Sequence, residues 1–348
     1  MSEVVAGLIS AKETVEFQTF RREAPRPGCV TVDITLCGIC GTDIASFRTG
    51  HLHSPAVCGH EWVGVISEVG AEVDGLAEGD RVVVGVPPAC GRCAECRAGL
   101  AEYCHTVSYV ARGRSPLAPP HGAFAARLTV EAGRVIPAHP GLSDSDAAQV
   151  EPATVAFHGV RRSRIAAGDI VVVQGAGPIG LLVAQFARAA GAGEVVIVEP
   201  TERRRDLALS LGVSSAVAPD EAEDAIRTMT RGVGADVVFE CSGVPRLLQT
   251  AVDFTRAGGV VGLVSFLAGP TTIEAARWLA REVTVIASNA FTHDDFRRSM
   301  AMLADGRVQV EPLHSRTVPL AELETTLRVL ADGSTDDVKV LVDPRGVA

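Results

Sequence analysis

Cys40, Thr42, Asp43, His60 and Glu61 place a thiol, a hydroxyl, two carboxylates and an imidazole in the stretch from Gly38 to Glu61, which runs from GICGTD into GHEWVG. Sulfur, imidazole and carboxylate donors within about twenty residues suit zinc, and a mixed set indicates a site left open for a substrate. A second set is spaced C-x2-C-x2-C-x7-C, at Cys90, Cys93, Cys96 and Cys104. Two-residue gaps let neighbouring thiolates converge on one tetrahedral ion, and Gly91 and Gly99 let the backbone curl. Four thiolates fill the coordination sphere, so this metal is expected to be structural. An iron–sulfur cluster takes thiolates too, but the spacing departs from the usual cluster runs and favours zinc.

A third constellation is GDIVVVQGAGPIGLLVAQFARAAG, with Gly175, Gly177 and Gly180 as G-x-G-x-x-G around Pro178 and Ile179. Bare glycines permit a tight turn and close approach of a pyrophosphate, which the following helix N-terminus stabilises. Glu199 lies 19 residues after Gly180, at the end of the next apolar run. A carboxylate there accepts hydrogen bonds from adenosine ribose hydroxyls and repels a 2'-phosphate, which favours NAD over NADP. Arg203, Arg204 and Arg205 just downstream argue the other way.

The elements that must position these groups fall into two parts. Up to about residue 140, short alternating runs such as CVTVDITLCG, VGVISEVG and DRVVVGV are divided by Gly, Pro and Asp clusters, the pattern of twisted antiparallel sheet. From about Leu142 the pattern changes. Ser143 and Asp144 open a helical segment, SDSDAAQVEPATVAFHGVRR, that is expected to bridge the two parts. Strands are then expected at Ile170–Gln174, Glu194–Glu199, Ser215–Ala218, Asp236–Glu240, Gly259–Val264 and Val283–Ala287. Helices are expected from Pro178, Glu202, Asp220 and Ile273. That alternation predicts an α/β chain with a parallel, doubly wound sheet. A further helix is expected at His293–Ala304, and late strands end in VKVLVD.

At 348 residues the chain is long enough for two domains. Hydrophobic residues make up 47% and charged residues 21%, as in a globular protein. A formal charge of -10, from 42 acidic against 32 basic residues, repels polyanions, and 4% aromatics leave little to stack on bases, so neither nucleic acid nor a membrane surface is an expected partner. The N-terminus lacks a basic stretch followed by a long apolar core, so no signal peptide is read and a cytoplasmic location is expected. Nine cysteines in a cytoplasmic chain are expected to be ligands or buried thiols.

GICGTD, GHEWVGVISEVG, the four-cysteine lobe, EPATVAFHGVRR and GAGPIG, in this order over nearly the whole chain, resemble the zinc-dependent medium-chain alcohol dehydrogenase family. Glu151-Pro152 makes the chain most similar to its polyol, threonine and butanediol dehydrogenase branch, because classical members put cysteine there. The resemblance implies a GroES-like catalytic domain over 1–150 and 290–348 and a Rossmann domain over 151–289. It implies a catalytic zinc held by Cys40, His60 and Glu151, with Glu61 as a direct or exchanging ligand, and a structural zinc on the four cysteines, two ions in all. Thr42 would pass the proton, Asp43 would orient His60 without touching the metal, Arg204 would lie near the adenosine ribose and Lys339 near the cofactor phosphates. Where many members carry a proton-relaying histidine, five residues after the zinc cysteine, this chain has Ala45, so the relay would run differently, either through the cofactor ribose and water or with His51 or His53 as substitute.

The implied reaction transfers a hydride between a secondary alcohol, of polyol, diol or sugar-like type, and NAD, giving the ketone. Partners would be the small alcohol or ketone and further copies of the chain, as homo-dimer or homo-tetramer. Two other readings stand beside it: a biosynthetic reductase of an aminosugar- or cyclitol-type ketone, with NADP as a possible cofactor, and a nucleotide-binding relic without turnover. Arg48, His51, His53, Arg112 and Arg114 lie in loops that either form a solvated surface, the favoured reading for each, or border the pocket, where they would favour polar or anionic substrates.

Overall fold

A computed structural model of the chain describes residues 3–107, 112–267, 269–289 and 291–346. The chain divides into two compact units: Met1–Glu151 with Phe291–Ala304 and His314–Ala348, and Pro152–Ala290 with Asp305–Leu313. Residue 290, at the expected domain boundary, lies outside the described residues. The expected second boundary needs one correction. Residues 305–313 belong with the second unit, where the Gln185 amide brackets the Gln309 backbone, donating to its carbonyl at 2.9 Å and accepting its amide at 2.8 Å.

In the first unit a seven-stranded sheet runs in the order His314–Pro319, Lys339–Asp343, Cys29–Gly38, Glu61–Val69, Arg81–Val84, Val135–Pro137, with Arg127–Glu131 also paired to Cys29–Gly38. Every pairing is antiparallel except the first, which is parallel. Val30, Val32 and Ile34 alternate inward along the central strand and pack with Phe47, Trp62, Ile66 and Leu327. A separate hairpin joins Glu3–Ala11 to Thr14–Arg21. The helix Gly41–Thr49 interrupts the expected run of strands. The helix Leu323–Asp332, ended by Gly333 at φ +65, has no counterpart in the expected elements and covers the same core.

The second unit is a six-stranded, all-parallel sheet in the order Ser215–Val217, Glu194–Val198, Ile170–Gln174, Ala235–Glu240, Thr255–Leu263, Thr284–Ala287. The first strand in sequence lies near the centre and the order reverses beside it, the doubly wound arrangement. Val171, Val172 and Val173 are wholly buried, as strands covered on both faces require. Six strands fall where the sequence pattern put them, within a few residues. The helix Leu247–Phe254 was not expected; it is the crossover that lets Ala235–Glu240 and Thr255–Leu263 run parallel. Among the described residues no helix is long and apolar enough to cross a membrane.

Candidate active site

The central strand of the first unit ends at Gly38, and Cys40 starts the helix Gly41–Thr49. Cys40 Sγ accepts the Thr42 amide at 3.5 Å, while Asp43 Oδ2 accepts the Cys40 amide at 3.0 Å. This reciprocal pair satisfies two amides that a first helical turn leaves open and fixes the thiol at the positive end of the helix. Asp43 Oδ1 accepts the Gly59 amide at 3.3 Å. Asp43 is buried, and one carboxylate therefore ties the Cys40 backbone to the residue before His60.

His60 Nδ1 lies 3.0 Å from the Val57 carbonyl. A carbonyl only accepts, so Nδ1 carries the proton and Nε2 is left for the hydrogen bond that the ring makes with Cys40. The expectation that Asp43 orients the ring is thereby refined: the Val57 carbonyl does so, and Asp43 acts one residue earlier, on the Gly59 backbone.

Glu61 opens the strand Glu61–Val69 directly across from Gly38. A Cβ on Gly38 would stand 2.3 Å from Glu61 Oε2, so a larger residue there would have to displace this carboxylate. Cys40, His60 and Glu61 each offer a donor atom, all within 4.8 Å of one another. Glu151, in the first turn of the helix Val150–Ser163, stands outside that three-donor group but feels its charges. Burial pushes Glu151 up to about 7, reinforced by Glu61 and Asp43 against the pull of His60 and Lys339.

Lys339 Nζ lies 2.6 Å from Glu61 Oε2 and 3.1 Å from the Ile39 carbonyl, and its side chain is 2% exposed. The strand Lys339–Asp343 pairs with Cys29–Gly38, and that register delivers the ammonium to Glu61. Nothing in the local sequence announces a contact between residues 278 positions apart.

Cys40, Asp43, Glu61 and Glu151 thus gather a thiol and three carboxyl groups around one imidazole and one ammonium, with Asp43, Glu61 and Lys339 buried and Cys40, His60 and Glu151 half-buried. Burial pulls His60 down, yet the charge and hydrogen bond of Cys40, then Asp43 and Glu151, lift it well above its ordinary value. The side chains draw a proton onto the ring because the acidic groups outnumber the one ammonium, and a divalent cation answers the same demand. The donor types fit zinc. Thr42 sits half-buried at the first turn. Ala45 lies on the same helix and its carbonyl accepts Thr49 Oγ1, whose oxygen also accepts the His51 amide; His51 and His53 are exposed. Arg48, Arg112 and Arg114 are exposed as well.

The four thiols of Cys90, Cys93, Cys96 and Cys104 converge within 4.8 Å of one another. The Cys90 amide donates to Cys104 Sγ and the Cys96 amide to Cys93 Sγ, each at 3.4 Å. The Arg92 amide and the Thr106 hydroxyl hold Cys90 down to about 5, while Cys93 is driven up to about 12 because burial, Glu95 and Cys96 outweigh the Cys96 amide. Thiols that divide protons so unequally at contact distance are those a tetrahedral cation would deprotonate together.

In the second unit Gly175, at φ +96, turns the chain out of Ile170–Gln174, and Gly177 precedes the helix Pro178–Ala189 with Pro178 in its first turn. A Cβ on Gly180 would stand 1.9 Å from the Gly175 carbonyl oxygen. Ile179 is half-buried beside it. Glu199 spends its oxygens on the turn: Oε2 accepts the Ala176 amide at 2.7 Å and Oε1 the Thr201 amide at 3.0 Å. Arg205 Nη1 donates to the Glu199 and Pro200 carbonyls at 2.8 and 2.7 Å, Arg204 is half-buried in the first turn of Glu202–Ser210, and Arg203 is exposed.

Known proteins match this arrangement. Residues 26–140 match the alcohol dehydrogenase GroES-like domain and residues 178–305 the zinc-binding dehydrogenase domain. The chain is 34% identical to 2-dehydro-3-deoxy-L-galactonate 5-dehydrogenase of Pseudoalteromonas atlantica, over 92% of this chain and 93% of that one. It is 31% identical to L-idonate 5-dehydrogenase of Vitis vinifera, over 97% and 94%. A candidate zinc-binding dehydrogenase of Sinorhizobium meliloti, solved bound to NADP, superposes with a TM-score of 0.86 at 30% identity, covering 99% of this chain and 100% of that one. The chain belongs to the zinc-dependent medium-chain alcohol dehydrogenase family, in its polyol-dehydrogenase-like branch, and is an NAD(P)-dependent alcohol dehydrogenase.

Proposed function

We propose that the protein oxidises a secondary alcohol on a polyol or sugar-acid skeleton, and reduces the matching ketone, with NAD preferred and two zinc ions per chain. The observation that carries this reading is the cluster of Cys40, His60 and Glu61, whose donor atoms lie within 4.8 Å of one another, with Glu151 beside it. The two sugar-acid dehydrogenases among its relatives support the substrate class. Cys40, His60 and Glu151 would hold the catalytic zinc, and Cys90, Cys93, Cys96 and Cys104 the structural one. When bound, zinc supplies Lewis acidity at the substrate oxygen and the nicotinamide supplies the hydride acceptor.

The chain's own residues do the rest. The Val57 carbonyl fixes the His60 tautomer, Asp43 fixes the Cys40 and Gly59 backbones, and Lys339 holds Glu61, for which it would compete with a bound metal. Thr42 Oγ1 receives the alcohol's proton. Gly175, Gly177 and Gly180 admit the pyrophosphate, and Glu199, with Arg204 near it, faces the adenosine ribose. The Glu199 carboxylate supports NAD over NADP. Nine free thiols, four of them converging, fit the reducing cytoplasm. The outermost strand Thr284–Ala287 and the exposed Leu279 support assembly as a homo-dimer or homo-tetramer.

Cys40→Ala tests the core of this reading. The variant should lose NADH formation from secondary alcohols and one zinc per chain while still binding NADH. Full turnover in it would overturn the assignment. Rates across polyols, diols and sugar acids, each with both cofactors, test the finer claims; faster turnover with NADP would overturn the cofactor preference.

A further inference from the structure

Glu240 ends the strand Ala235–Glu240, inside the six-stranded sheet, and is 0% exposed. A buried carboxylate persists only where donors surround it. Glu240 Oε1 accepts the Ser242 amide at 2.8 Å, the Gly243 amide at 3.2 Å and the Ser242 hydroxyl, and Oε2 accepts the Ser265 hydroxyl. The Glu240 carbonyl accepts the amides of Val264 and Ser265, both at 3.2 Å. One residue therefore holds two loops: the one leaving its own strand and the one leaving the neighbouring strand Thr255–Leu263. Both leave the carboxyl edge of a parallel sheet, the side on which doubly wound sheets bind ligands.

The clamped loops also bear on the glycine turn. The Cys241 amide donates to the Gln174 carbonyl at 3.0 Å. A Cβ on Gly175 would lie 3.1 Å from Ser242 Cα, and one on Gly180 would lie 3.5 Å from Cys241 Cβ. Gly243, at φ +74, faces the Phe266 carbonyl oxygen, 3.4 Å from where its Cβ would be. Pairing of Ala235–Glu240 with both neighbours uses the backbone alone. An apolar side chain would fill the same place without a desolvated charge. The carboxylate is thus spent on the loops, not on the sheet.

We propose that Glu240 is a positioning residue for the dinucleotide: it locks the loops at Ser242–Gly243 and Ser265 in the one arrangement that leaves the Gly175–Gly180 turn open to the cofactor. This rests on reading that turn as the nicotinamide-nucleotide site.

The test is the NADH dissociation constant of the full-length protein, read by fluorescence well below the melting temperature. Glu240→Ala should raise it about 10- to 100-fold, the loss of two or three charge-assisted hydrogen bonds, with the cofactor KM rising more than kcat falls. Glu240→Gln keeps an oxygen for the two amides and offers its NH2 to Ser265 Oγ, and should return the constant to within about 3-fold of the parent. Ser265→Ala removes one donor and should raise it about 5-fold, so the test stands even if Glu240→Ala fails to fold. A lowered melting temperature with an unchanged NADH constant in Glu240→Ala or Ser265→Ala would overturn the proposal and leave a structural role only. Failure of the unmodified protein to bind either NADH or NADPH would overturn the nucleotide reading itself, a result distinct from unchanged affinity in the variants.

Discussion

Lys339→Met removes the one ammonium from the buried cluster of the first unit. Burial pulls Lys339 down, but Glu61, then Cys40 and Glu151, raise it above its ordinary value, so it is charged at neutral pH. A raised lysine stabilises the fold fully below its unfolded value, about 10.4, and loses that contribution only as pH rises through the folded one. The whole effect is therefore present at pH 7. The pair is 2.6 Å long with both side chains 2% exposed, so the variant leaves the Glu61 carboxylate unpaired in a dry site. Breaking a buried pair in this way costs about 3–5 kcal/mol. For a unit of this size that lowers the melting temperature by roughly 6–20 °C.

The measurement belongs on chelator-treated protein, where the side chains alone balance the charge; added zinc should shrink the loss. Glu61→Gln combined with Lys339→Met removes the orphaned charge and should recover at least about half of the deficit. A melting temperature for Lys339→Met within about 2 °C of the parent without metal would refute the buried-pair argument.

Further outcomes follow from other contacts. Cys93→Ser should lower bound zinc by one per chain and the melting temperature with it, since a structural site contributes its binding energy to folding; full zinc content with unchanged melting would contradict the four-thiol site. Gly180→Ala drives a methyl to 1.9 Å from the Gly175 carbonyl oxygen, so NADH affinity should fall by more than about 100-fold while the catalytic zinc stays bound, as titration and metal analysis would show. Asp236 accepts the Ile170 amide at 2.8 Å and Arg256 Nε at 2.7 Å; burial pushes it up, but these donors hold it below the usual carboxylate range. A depressed carboxylate stabilises above its unfolded value and loses that contribution as pH falls through the folded one. Asp236→Asn should therefore cost about 1–2 kcal/mol at pH 7, and the gap in melting temperature should close only below about pH 4.

The sequence reading succeeded where the signal is local and failed where it is not. Strand–turn–helix alternation after Leu142 is written in hydrophobic period and glycine spacing, and Cys90 to Cys104 lie within one short loop, so both constellations are legible without coordinates. The helix Gly41–Thr49 was hidden because a cysteine takes the place of the usual Ser or Asp before it, although Asp43 three residues on marks the reciprocal cap. The pairing of Lys339 with Glu61 is not legible in the sequence, because it is set by strand register, which a pattern of alternation does not number. Glu240 was seen only as the end of a strand; that its carboxylate serves two loops depends on which strands lie side by side. Residues 305–313 left the expected domain for a similar reason, since Gln185 reaches across 124 positions to hold them.

Glu199 constrains what can be altered. Its carboxylate fastens the backbone on both sides of the turn, at Ala176 and Thr201, in addition to any discrimination between coenzymes. If Glu199 faces the adenosine ribose as proposed, exchanging it for a small neutral residue to admit a 2'-phosphate would also unfasten the Gly175–Gly180 turn. A change of coenzyme would then be channelled to the residues after it, from Glu202 to Arg204, where substitutions leave the fastening intact.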